Sequence, residues 1–335
     1  MDYTGDYYDQ KIIGKMTRRI SAKPGCSCFL TNNEKGEVLT CRNYDLGHRV
    51  SAENGAYTGL NVILHCRPKG KYESIGIADA VWIAPFNPFY QAGGPDLSCF
   101  SPEMFCGLPY VCMDGLNEKG LSANLLRVDI KKGDQPAKAE YTSGFLLRNI
   151  LDTCASVDEA MKYVETSEFR PEQWQGVHLF VSDASGKSII IESRNGQLSS
   201  AETDIATNFY LCSNDREDAY KNGCLQEKAV FLSGMDGQSR YSYGYGHGYH
   251  RFACILSQLE MYRDLSCEKY ITIMPEKQAQ VILQSVVQNT YTKAAGITMT
   301  QYTAIYNNTA GIMKAWSFQV FSESFCFDVT GKEIL

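Results

Sequence analysis

The stretch Gly25-Cys26-Ser27-Cys28-Phe29-Leu30 is followed, after Gly36, by Cys41-Arg42-Asn43-Tyr44-Asp45. These residue types can do chemistry together. A cysteine thiolate is a strong nucleophile, and a nearby fixed cation lowers the thiol pKa from about 8.5. Arg42 carries such a charge at every physiological pH, and Asp45 can orient an amine or a substrate N–H. Two strands pairing through the turn NNEKGE would bring Arg42 and Asp45 opposite the Cys26 end. The plainer alternative is a core cysteine beside a hairpin ion pair, so these residues alone leave both readings open.

The elements that must position them can be read along the chain. Strand-like runs dominate the first third: CSCFLTN, GEVLTCRNYD, GLNVILHC and YESIGIA, separated by Asn, Gly, Pro and charged turns. YVCMDGL and GLSANLLRV follow, flanking the turn Asn117-Glu118-Lys119-Gly120. A helical block begins near Thr142, and Ser156-Val157-Asp158-Glu159 reads as a capping box opening a second helix. Strands return at VHLFVSD, SIIIESR and the run through Thr207. A further helical block is expected over about 215–290, where Ala279, Ile282, Leu283 and Val286 recur at the spacing of one buried helical face. TQYTAIYNN, IMKAWSFQV and FCFDV read as three closing strands. This order predicts an α+β fold, mostly antiparallel, with two packed sheets covered by helices on both outer faces, in one domain.

Composition narrows the function. The 335 residues are 44% hydrophobic and 21% charged, which excludes a disordered chain. A net charge of −6 without a long basic run argues against nucleic acid as a partner. No apolar stretch reaches the length of a membrane span, and the N-terminus lacks the apolar core of a secretory signal. The 13 cysteines, an odd number without a C-x-x-C pair, suggest reduced thiols in a cytoplasmic protein, not disulfides or structural zinc. The five histidines form no H-E-x-x-H. Gly186-Lys187-Ser188 has Val181 where a phosphate-binding loop needs glycine, and it reads as a hairpin. Gly244, Gly246 and Gly248 do not fit a dinucleotide fingerprint, and no G-x-S-x-G occurs. No cofactor and no metal are expected.

The pattern of Cys-Ser, a turn glycine and then Arg-Asn-x-Asp resembles the choloylglycine hydrolase and penicillin V acylase family of N-terminal-nucleophile hydrolases. In that family the nucleophilic cysteine precedes the arginine by sixteen residues and the aspartate by nineteen. Cys26 meets both spacings with Arg42 and Asp45, whereas Cys28 would give fourteen and seventeen. Asp114-Gly115-Leu116-Asn117-Glu118-Lys119-Gly120-Leu121 is similar to the family's structural turn. Ala206-Thr207-Asn208-Phe209 looks like its segment carrying an oxyanion-hole asparagine. His250-Arg251-Phe252 looks like the segment whose arginine joins the active-site charge network, and TQYTAIYN resembles the closing strands. The resemblance implies a four-layer αββα sandwich and hydrolysis of a linear amide C–N bond in a small N-acylated molecule. It names Cys26, Arg42, Asp45, Asn208 and Arg251 as catalytic: thiol nucleophile, thiolate stabiliser, holder of the α-amine, oxyanion donor and charge-network partner.

Two departures from the family pattern matter. Bile-salt hydrolases carry a second oxyanion asparagine after the E-K-G-L turn, and Asn124 is out of register with it, so that role is not carried over. Cys26 is also internal. The family chemistry uses the free α-amine of the nucleophilic cysteine as base, so residues 1–25 would form a pre-segment removed by self-cleavage after Gly25, leaving 26–335 as the catalytic domain. Val81-Trp82-Ile83-Ala84-Pro85-Phe86 could line an apolar acyl pocket, with Trp82 equally fitting a core position. Alternatives are an acyltransferase on the same fold or an inactive thiol-rich binding protein. An enzyme that keeps residues 1–25 would need another base, with His48 the first candidate. The sequence does not choose among bile-salt conjugates, penicillin V, N-acyl amino acids and acyl-homoserine lactones, and it leaves a homo-oligomer open.

Overall fold

Local hydrogen bonding explains the hairpin on which the site is built. Asn33 Oδ1 accepts the backbone N–H groups of Lys35 and Glu37 at 3.0 Å each, closing the turn between two long strands. The computed structural model describes residues 2–5, 23–48, 60–83, 102–128, 142–212, 247–267, 270–292 and 296–334. Its strands are β1 (Asp2–Gly5), β2 (Lys23–Asn32), β3 (Val38–His48), β4 (Asn61–Pro68), β5 (Ser74–Asp79), β6 (Cys112–Asn117), β7 (Ser122–Arg127), β8 (Val177–Ser182), β9 (Ser188–Arg194), β10 (Gln197–Glu202), β11 (Ile205–Ala206), β12 (Asn289–Thr292), β13 (Gly296–Asn307), β14 (Ile312–Ser317) and β15 (Phe325–Asp328). The longer helices are α1 (Thr142–Thr153), α2 (Val157–Thr166), α3 (His247–Glu260) and α4 (Glu276–Ser285).

The strands form two sheets. An eight-stranded sheet runs β1-β4-β5-β6-β7-β8-β9-β10, antiparallel except where β1 joins β4 in parallel. A seven-stranded sheet runs β11-β2-β3-β13-β14-β15, with β12 also pairing β13. Cys26, Cys28, Tyr44 and Leu46 on the second sheet pack against Ile75, Ile77, Leu116, Leu126 and Phe180 on the first, so one apolar layer lies between the sheets. Leu146, Leu147, Ile150 and Val164 of α1 and α2 cover the outer face of the eight-stranded sheet. Ile255, Leu259, Ile282 and Leu283 of α3 and α4 cover the outer face of the other. Each such side chain contributes about 1.5–3 kcal/mol when fully buried. The layers are helix, sheet, sheet, helix.

Most predicted elements appear where the sequence places them, including the β8–β9 hairpin through Gly186. The capping residue of α2 is Ser156, whose side chain accepts from Glu159 N, while the Glu159 carboxylate reaches back to Ala155 N. The second helical block is broken. Residues 261–267 and 270–275 are not helical: Thr272 and Met274 hydrogen-bond to the end of β2 through Asn32, and Pro275 supplies the entry to α4. The part of that block before residue 247, the glycines 244 and 246, and Ala84-Pro85-Phe86 lie outside the described residues. In the turn of Asn117, that residue's Oδ1 accepts from Lys119 N and Leu121 N, and its Nδ2 donates to the Leu151 and Cys154 carbonyls at the end of α1. Gly120 closes the turn at φ +82, where a Cβ would stand 2.4 Å from Asn308 O.

Candidate active site

Strand register brings the sequence-predicted residues together. Gly25 opposes Asp45, Cys26 opposes Tyr44, and Cys28 opposes Arg42. Side chains alternate across a sheet, so Cys26, Cys28, Arg42 and Tyr44 point between the sheets, while Ser27 and Asp45 point toward α3.

Between the sheets, Arg42 is fully buried. It donates from Nη2 to Cys26 Sγ at 3.4 Å and from Nη1 to Cys28 Sγ at 3.5 Å. Its Nε faces the Asp114 carboxylate in an ion pair, and that carboxylate also accepts from the hydroxyls of Tyr302 and Tyr306. A break in the facing sheet contributes as well. β6 pairs with β7 only through Asn124, so the Leu125 and Arg127 carbonyls are released from that ladder. Arg42 Nη2 takes the Leu125 carbonyl at 2.7 Å, and Asn208 Nδ2 takes that of Arg127 at 2.7 Å.

On the helix side, Arg251 of α3 gathers the backbone around Cys26. Its Nη1 donates to Cys26 O at 2.6 Å and Ser27 Oγ at 2.5 Å, and stands 3.5 Å from Asp45 Oδ2. Its Nη2 donates to Asn208 Oδ1 at 2.5 Å. With the Gln288 amide oxygen turned toward it, Gln288 accepts from Nε at 2.9 Å and Nη2 at 3.0 Å. Asn208 Oδ1 also accepts the Cys26 backbone N–H at 2.9 Å. Asp45 Oδ1 accepts from Thr300 Oγ1 at 2.6 Å. A Cβ on Gly25 would lie 3.4 Å from Asp45 Oδ2, so that carboxylate borders the residue just before Cys26. Thus Cys26, Arg42, Asp45, Asn208 and Arg251 form one connected cluster.

The electrostatics are those of a closed site. Cys26 is 1% exposed, and burial pushes its thiol above the ordinary value despite Arg42. Burial drives Cys28 further, to about 12. The Asp45 carboxyl is also raised by burial, against the pull of Arg251 and Thr300.

Asp114 is the residue that sequence reasoning missed, because it sits at the head of a motif read only as a turn. Its signal was available: alternation places it on the same buried face as Leu116, and a buried carboxylate needs a partner. Asn124 is buried beside it and donates to Ser122 Oγ and Phe180 O, away from Cys26. Trp82 is half-buried and donates to Tyr44 OH at 3.1 Å, on the side of the strand that carries Cys26. The His48 side chain and residues 6–22 lie outside what the structure describes. Among the described residues no cluster of His, Cys, Asp and Glu could hold a metal ion, and no helix is long and apolar enough to cross a membrane.

Residues 102–246, which hold the Asn117 turn and Asn208, match the family of linear amide C–N hydrolases, choloylglycine hydrolase family. Penicillin V acylase of Pectobacterium atrosepticum is 38% identical to it over 96 residues, which cover 25% of this chain and 26% of that protein. The matched stretch therefore spans about a quarter of that relative's length. Two solved variants of conjugated bile acid hydrolase from Clostridium perfringens share the fold across 92% of this chain and 96% of theirs, at 16% identity and TM-scores of 0.52 and 0.55. The likeness is one of fold, and the helix-sheet-sheet-helix layers described above are what is shared.

Proposed function

We propose that the chain hydrolyses the amide bond of a small N-acylated molecule, with Cys26 as nucleophile and its α-amine, released by removal of residues 1–25, as base. One observation carries this reading. The thiol, the backbone nitrogen and the carbonyl of Cys26 are each held by a different polar side chain: Arg42, Asn208 and Arg251. A structural core cysteine does not need that arrangement. The two solved bile acid hydrolase variants alter a cysteine and an arginine sixteen positions apart, the separation of Cys26 and Arg42.

The chemistry follows from the positions. In the uncut chain the Cys26 nitrogen is an amide, whose delocalised lone pair cannot take a proton, so the uncut form is dormant. Once freed, an α-amine with an unperturbed pKa of about 7.7–8.0 can take the proton of its own thiol. Asn208 Oδ1 and the Asp45 carboxylate are the acceptors that would orient that amine. The thiolate attacks the substrate carbonyl, Arg42 stabilises the sulfur charge, and the carbonyl oxygen becomes an oxyanion. An amide NH₂ has two donors. One Asn208 N–H goes to Arg127 O, and the other is assigned to the oxyanion. The amine product departs with a proton, leaving a thioester that water cleaves with the α-amine again as base. Tyr44 and Trp82 offer aromatic surface for the acyl group.

The test is a panel of penicillin V, a bile-salt conjugate, an N-acyl amino acid and an acyl-homoserine lactone, assayed for released amine with and without an added acceptor amine. Hydrolysis of one member by wild type and by Cys28→Ala, but not by Cys26→Ala, is the expected result. Acyl transfer to the acceptor in preference to water would make the chain an acyltransferase, and loss of turnover in Cys28→Ala alone would move the nucleophile.

A further inference from the structure

We infer that the buried His178–Glu192 pair is a clamp that positions Asn208, a role that rests on the oxyanion function proposed for that residue. His178 and Glu192 face each other across β8 and β9, 0% and 1% exposed. His178 Nδ1 lies 3.1 Å from Glu192 Oε1. Their remaining contacts go to the backbone on either side of Asn208. His178 Nε2 lies 2.7 Å from Thr207 O, while Glu192 Oε1 accepts from Leu211 N at 2.8 Å and Oε2 from Cys212 N at 3.0 Å. Both ring nitrogens of His178 are thus engaged, one by the Glu192 carboxylate and the other by the Thr207 carbonyl.

This segment needs such support. It follows β11, a strand of only two residues, and residues 207–212 join no sheet ladder. Its polar backbone groups must therefore find other partners. From the opposite side α3 grips the same stretch. Thr207 Oγ1 donates to Gly248 O at 2.6 Å, Arg251 holds Asn208 Oδ1, and a Cβ at Gly248 would stand 3.1 Å from Asn208 N. The helix fixes one side of the loop and the ion pair fixes the other. A buried ion pair is often no more stabilising than apolar residues of similar volume, so stability alone does not account for it. Held between the two, the Asn208 amide keeps its place relative to Cys26, and a displacement of about 1 Å at such a donor can lower turnover about 10²-fold.

The test uses Glu192→Gln, which keeps the shape but turns one acceptor into a donor facing a backbone N–H, and His178→Gln, which keeps a donor for Thr207 O. On the panel substrate that wild type turns over, Glu192→Gln is expected to lower kcat about 10- to 100-fold with KM within about twofold, and His178→Gln to do so less. The Asn208→Ala, Glu192→Gln double variant should match Asn208→Ala alone within about twofold, since both act on one donor. Iodoacetamide should alkylate Cys26 at the wild-type rate in Glu192→Gln, which a general loosening of the site would not allow. In wild type, the Leu211 and Cys212 amides should exchange with deuterium as slowly as those of β9, a measurement independent of substrate and of how the variants fold. Wild-type kcat in Glu192→Gln, losses that multiply with Asn208→Ala, or loop-like exchange at both amides would overturn the clamp. Wild-type kcat in Asn208→Ala would instead overturn the oxyanion role itself.

Discussion

Two buried arginine–aspartate pairs lie on opposite faces of the β2–β3 hairpin, and they are used differently. Between the sheets, Arg42 and Asp114 form a tight pair whose carboxylate is also taken by two tyrosine hydroxyls. Toward α3, Arg251 and Asp45 stand 3.5 Å apart, and the Asp45 carboxylate is also hydrogen-bonded by Thr300 and Gln288. An ionised carboxylate offers about four lone-pair sites. Asp114 is close to saturated, so its work is to fix Arg42 with both Nη groups aimed at sulfur. Asp45 is held by a longer ion pair and borders Gly25, where a new α-amine would appear. A tight pair is a rigid part, whereas a longer one can rearrange around a ligand or a proton.

The largest effect should come from breaking the saturated pair. Arg42→Leu leaves Asp114 buried without its counter-ion and should destabilise the fold by about 3–5 kcal/mol in urea titration. Adding Asp114→Asn should recover part of that loss, and strict additivity would show the pair to be uncoupled. Next comes Asn208→Ala, with kcat lowered about 10²–10³-fold and KM nearly unchanged; a pure KM effect would move Asn208 to substrate binding. Asp45→Asn keeps an acceptor for Thr300 and removes only the charge that would hold the amine. It should lower kcat about tenfold by misplacing the base, so a stability loss equal to that of Arg42→Leu would erase the contrast between the pairs. The smallest effect is on thiol titration. In full-length chain, burial raises the Cys26 thiol above its ordinary value, so the thiolate forms only at higher pH and alkylation by iodoacetamide should still be climbing at about pH 9. Arg42→Leu removes the strongest opposing influence and should push that midpoint higher.

The sequence-to-structure comparison divides along locality. The hairpin, the Asn117 turn and the α2 cap rest on contacts within a few residues, so they were legible in the chain. Asp114 as the partner of Arg42 was not legible, because the two are 72 positions apart and meet only when the sheets stack. The released Leu125 and Arg127 carbonyls were hidden for a related reason: they depend on where β6 stops pairing with β7, and no side chain announces that register. The break in the helical block between α3 and α4 was missed because the pairing of Thr272 and Met274 with Asn32 is likewise long-range.

The central claim is that the nucleophile is an N-terminal cysteine. In the structure, β1 is an edge strand of the eight-stranded sheet and the Gly25–Cys26 peptide lies within β2. Intact-mass spectrometry with N-terminal sequencing, performed on the fraction that carries amidase activity, tests the claim directly. The account predicts that active protein has lost residues 1–25 and begins Cys-Ser-Cys-Phe, and that Cys26→Ala keeps its full length and is inactive. Full activity in chains that still carry Met1 would contradict it, because an acylated nitrogen at Cys26 cannot serve as the base.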